Sequence, residues 1–161
     1  MNHPTFCRIT HVSFLVVICT ASCLGFEDQK LSQGQTVYVS VYSNIFTAPR
    51  AIPFSLEATL IIRNTDMSES LRVTTIDFYD TEGKLVKRFA ETPLVLQPLE
   101  TKYIYLPGKN AAGGLGANFI VRWTAAREIN VPIVECLMIG TKSGQGISFI
   151  SAGMAIKEHA R

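Results

Sequence analysis

The sequence predicts an all-β fold, an antiparallel immunoglobulin-like β-sandwich of seven to nine strands placed after an N-terminal signal segment. Three observations predict it. Alternating apolar and polar runs recur about every ten residues, separated by Gly, Pro, Asn and Asp. The runs are rich in Val, Ile, Tyr, Phe and Thr, the residues that suit a pleated, half-buried surface. No stretch carries the apolar period of about 3.6 residues that marks an amphipathic helix. A chain of 161 residues is most simply one domain, able to bury about two thirds of its unfolded surface, so neither disulfide nor metal is needed to close it. A barrel is the alternative way to close the same strands.

Residues 1–22 read as an export signal. Met1–His11 is polar with Arg8 as its certain charge, and Val12–Cys19 is apolar but too short to span a bilayer as a helix. Thr20-Ala21-Ser22-Cys23 is similar to a bacterial lipobox, in which small residues precede a cysteine that becomes lipidated; Thr20 stands where an aliphatic residue is usual. The expectation is a lipid anchor at Cys23 and a periplasmic or cell-envelope location. Ordinary cleavage nearby, releasing a soluble protein, is the alternative. Residues 23–34 follow as a tether, 35–156 as the sandwich domain and 157–161 as a C-terminal tail. Cys7 and Cys19 leave with the signal, so Cys136 is the one thiol left in the domain, expected as a small buried hydrophobe.

The organising strand is Ala117–Thr124, where Phe119, Val121 and Trp123 fall on one side. Trp123 is the chain's single tryptophan, and burying its large apolar surface calls for a central position. In chain order, Gln35–Ser43 comes first, with Val37, Val39 and Val41 on one face and Tyr38 and Tyr42 on the other. Phe54–Thr65 reads as one long strand, and Asn64–Ser70 as a polar turn. Leu71–Tyr79 and Lys84–Phe89 form a hairpin about Asp80–Gly83, which supplies a glycine where positive φ is wanted. Pro93 and Pro98 bracket Leu94–Leu96 as an edge segment. Thr101–Leu106 is short, and a glycine-rich loop leads from it into the Trp123 strand. Pro132–Thr141 is almost continuously apolar, which predicts burial on both faces. Ile147–Ile156 closes the fold.

The composition excludes several functions. A net charge of +2 with scattered Lys and Arg leaves no electrostatic footprint for nucleic acid. His3 and His11 fall in the signal and His159 lies beside the C-terminus, so a Ser-His-Asp triad, a Cys-His pair or a multi-histidine zinc site would have to recruit that last residue. No catalytic residue, metal site or cofactor is therefore expected. Gly113-Gly114-Leu115-Gly116 precedes a strand, whereas a dinucleotide-binding loop follows a strand and opens a helix. Lys142-Ser143 lacks the glycines of a P-loop. Acid pairs from distant strands, or a serine–lysine pair, leave a hydrolase as one alternative.

Several blocks resemble the bacterial DUF3124 family: Val37–Ser43, Ile62–Asp66, Phe78–Asp80 with Gly83–Lys87, Gly116–Val121, and Met138–Thr141 with Gly144–Phe149. The resemblance covers roughly residues 35 to 153. It implies an exported bacterial protein, often with a lipoprotein-like start, and carries no activity.

The function expected is a non-enzymatic extracytoplasmic binding or assembly module. Its partner is an envelope protein, peptide or glycan, reached from a membrane anchored through Cys23. Candidate binding residues are Gly113, Gly114 and Gly116, with a polar surface of Asn118, Arg122, Ser143 and Gln145. The structural alternative is pairing through an edge strand near Leu94–Leu96 or Ile147–Ile150.

Overall fold

A computed structural model describes residues 30–47, 50–108, 113–142 and 144–159. The signal segment and Cys23 lie outside the described residues, as does Ser143.

The protein is all-β, with twelve strands among the described residues, more than the seven to nine expected. They are β1 (Leu31–Val41), β2 (Asn44–Thr47), β3 (Ile52–Ser55), β4 (Glu57–Arg63), β5 (Leu71–Tyr79) and β6 (Leu85–Arg88). After these come β7 (Leu94–Leu96), β8 (Thr101–Leu106), β9 (Ala117–Asn130), β10 (Ile133–Lys142), β11 (Gln145–Ala152) and β12 (Met154–Glu158). One sheet has the order β12-β1-β9-β5-β6, with β7 also paired to β5; a second has the order β11-β10-β4-β8; β2 and β3 form a separate ribbon. Every pairing is antiparallel.

The Trp123 strand is central, as its composition predicts. β9 lies between β1 and β5, and Trp123 and Phe119 are fully buried. Register sets the core in rows. Val37 and Ile76 flank Val121, Val39 and Phe78 flank Phe119, and Gln35 and Val73 flank Trp123. Leu60, Cys136 and Met138 from the second sheet join the same cluster, so the two sheets enclose one core. Full burial of side chains of this size is worth about 1.5–3 kcal/mol each.

Five local expectations change. β1 begins at Leu31, inside the stretch assigned to a tether, and β12 runs to Glu158, inside the assigned tail. The long strand over Phe54–Thr65 breaks at Leu56: β3 pairs with β2, while β4 pairs with β10 and β8. Its apolar face survives the break, because Phe54, Leu56, Ala58, Leu60 and Ile62 are all buried. β10 is fully buried on one face only; Ile133 and Ile139 on the other are exposed, so its near-continuous apolar run overstated its enclosure. Tyr42 leaves the row of Tyr38 and packs its ring 5.8 Å from that of Phe149.

The end of the chain passes from one sheet to the other at Gly153. Its N–H donates to the Val134 carbonyl at 2.7 Å. A Cβ there would sit 2.6 Å from that oxygen and 2.7 Å from Val37 Cγ1, closer than a real side chain tolerates, so only glycine fits the corner.

Candidate functional site

The glycine loop is held by its neighbours. Gly113 carbonyl accepts from the Thr81 N–H at 3.0 Å and from Thr81 Oγ1 at 2.9 Å, and Gly116 N–H donates to Thr81 Oγ1 at 3.1 Å. Ser43 N–H donates to the Gly114 carbonyl at 3.2 Å. A Cβ on Gly113 would lie 2.6 Å from Phe78 Cζ and 2.7 Å from Ala117 Cβ. These backbone groups are therefore engaged in fastening the loop to the β5–β6 turn, and the smallness of Gly113 serves packing.

The other expected residues divide between the sheets. Asn118 and Arg122 share the outward face of β9, Asn118 between Ser40 and Tyr79, Arg122 between Thr36 and Thr75. Gln145 opens β11 opposite Lys142 on the second sheet. A chain of hydrogen bonds connects the two regions: Ser43 bonds Gly114, and Leu56 N–H bonds the Ser43 carbonyl at 2.9 Å, just before Glu57 pairs with Ile139. The structure thus joins Asn118 and Arg122 on one surface and leaves Gln145 on another.

A stronger feature is the boundary of the second sheet. An edge strand presents unpaired N–H and C=O groups, and folded proteins blunt such edges with brevity, charge, proline or bulges. β6 is four residues long and carries Lys87 and Arg88. β7 has three residues between Pro93 and Pro98. β12 carries Lys157 and meets β1 across a register shift. β8 carries Lys102. β11 has none of these devices. Its eight residues, Gln-Gly-Ile-Ser-Phe-Ile-Ser-Ala, hold unbroken register with β10 and include no charge and no proline. Among the described residues its outer side is unpaired. Ile147 and Phe149 lean on the core from this boundary, and Ile150 projects outward with 60% of its surface exposed.

The end of β12 builds a polar cluster that the sequence did not announce. Glu158 Oε1 accepts from Lys30 Nζ at 2.5 Å and Gln35 Nε2 at 2.6 Å, and its Oε2 accepts from Ser32 Oγ at 2.8 Å. Desolvation alone would raise this carboxyl; the Lys30, Gln35 and Ser32 hydrogen bonds outweigh it and leave the group below its ordinary value. His159 folds back too, with Nε2 2.8 Å from Thr36 Oγ1 and its N–H donating to the Gly34 carbonyl. An open cleft of about 400 Å³ beside them is lined by Lys30, Ser32, Gln33, Glu128, Glu158 and His159. A nucleophile–base–acid relay needs its three groups in line. Strand alternation sends Glu158 and His159 to opposite faces of β12's extension, and Glu158 already engages three donors. The arrangement acts as a latch between the two ends of the described chain. Cys136 is fully buried, and that desolvation pushes its thiol up to about 12 despite a hydrogen bond with the Thr59 backbone; it stays protonated and unreactive at neutral pH.

The family described as "Protein of unknown function (DUF3124)" matches residues 34–156. No curated protein matches the chain. Among solved structures, the crystal structure of Thermotoga maritima 1070 is similar over 78% of this chain and 97% of its own, at 13% identity and a TM-score of 0.46.

Proposed function

Since the chain belongs to the DUF3124 family, whose function is unknown, we propose that it is a non-enzymatic binding or assembly module of the bacterial envelope that engages its partner by strand addition at β11. The carrying observation is the unguarded edge Gln145–Ala152: eight residues in unbroken register with no charge, proline or bulge. Main-chain groups along such an edge give a partner strand its affinity, and alternate side chains give it selectivity. The reading includes its setting, an exported domain anchored through lipidated Cys23. It also includes the architecture, two antiparallel sheets stacked in an immunoglobulin-like sandwich.

A photo-crosslinking side chain at Ser148 of the full-length protein in intact cells tests the edge. The reading expects adducts at Ser148 and none when the same group replaces Val86 on β6. Equal labelling at both positions, or none at Ser148, overturns it. Anchoring is tested separately: Cys23→Ala is expected to move the protein out of the membrane fraction, and an unchanged membrane fraction removes the lipid anchor from the proposal.

A further inference from the structure

We infer that the strand added to β11 is the β11 of a second copy, which would make the protein a two-fold symmetric dimer with one continuous sheet across the junction. The inference rests on the edge reading above and names its partner. Charge is the first argument. β6, β8 and β12 each carry at least one Lys or Arg, whereas β11 has no charge to repel its own image. A second copy always presents the same neutral edge.

Side-chain register is the second argument. In an antiparallel pair, opposed residues share a face. Placing the two-fold axis at Ser148 sets Ile147 of each copy opposite Phe149 of the other. Both are only partly buried where they lean on the core, and each would cover the other's open flank. On the outer face the same register sets Gly146 against Ile150. A Cβ at Gly146 would meet nothing within 4 Å, so there is room for Ile150, 60% exposed in the single chain. Large residues meet small ones, and the core row runs on from one copy into the next.

Ser148→Cys provides a geometric test. At the axis the two Cα atoms would stand about 4.5–5.5 Å apart, within disulfide range. Ala152→Cys would place its thiols about eight residues of strand apart, roughly 27 Å, beyond bridging. The inference expects the mature, full-length protein to sediment at twice its monomer mass, and Ser148→Cys to form a reducible dimer where Ala152→Cys does not. Ser148→Lys, which sets two ammonium groups across the axis on an exposed position, is expected to weaken dimerisation up to about fivefold with unchanged thermal unfolding of the monomer. A monomer at all concentrations, with no Ser148→Cys bridge, overturns the second copy. In that event a Ser148 photo-adduct with another protein leaves the strand-addition reading standing, an adduct with residues 23–29 of the same chain assigns the edge to an internal segment, and no adduct removes strand addition altogether.

Discussion

Asn64 is buried, and its side chain holds three stretches of chain together. Its Nδ2 donates to the carbonyls of Glu69 at 2.8 Å and Gln97 at 2.9 Å, with a longer contact to Leu96 at 3.3 Å, and its Oδ1 accepts from Asp66 N–H at 3.0 Å. Asn64→Ala would strand those carbonyls away from water, so a loss of about 2–3 kcal/mol is expected in urea unfolding. Asp66 works beside it. Hydrogen bonds from the backbone amides of Ser68, Glu69 and Asn130 hold its carboxyl at about 2, below the ordinary 3.8. A depressed folded value means that ionisation favours the folded form: the contribution is whole above about 4 and disappears as pH falls through about 2. The stability gap between the native protein and Asp66→Asn should therefore be full at pH 6 and shrink on acidification, as chemical unfolding at a series of pH values would show. The polar turn was legible from Asn64–Ser70. The burial of Asn64 was not, because its partners at Leu96 and Gln97 are more than thirty residues away and nothing in its neighbours names them.

Strands were legible wherever alternation was clean and turn chemistry strong. The β5–β6 hairpin carries Gly83 at φ 78° in its turn, as Asp80–Gly83 implied, and β9 holds the single tryptophan at the middle of its sheet. The break at Leu56 was hidden because the apolar period passes through it unchanged: alternation reports which way side chains point, while pairing depends on distant backbone. The burial of β10 misled for a related reason. Ile133, Leu137 and Ile139 are apolar on the outward face, so composition resembled that of a strand enclosed twice. The glycines of the loop before β9 are crowded by Ala117 and by Thr81 and Phe78, the last two far off in sequence. At this scale Thr81→Val is the informative change. It keeps shape and removes the hydroxyl that bonds Gly113 and Gly116. A loss of about 1 kcal/mol is expected, together with faster hydrogen exchange at Gly116, while amides in the centre of β9 remain protected.

For the whole molecule, the two sheets depend on the last segment of the chain. β11 borders the second sheet, β12 borders the first, and Gly153 joins them. Removing residues 154–161 would bare the outer side of β1 and release Ser32, Gln35 and Thr36 from Glu158 and His159. We expect such a truncation to lose several kcal/mol of stability by urea unfolding, since an interior strand becomes an edge and buried polar groups lose partners. This coupling was invisible in sequence, where the final residues looked like a weak strand and a tail. The latch also has a mechanical consequence. Lys30 and Glu158 touch, so the two described ends of the chain leave the domain side by side. Tension pulling them apart would load the β1–β12 ladder one rung at a time from its terminal rung, which makes the fold easy to unzip under low force however well its core resists heat.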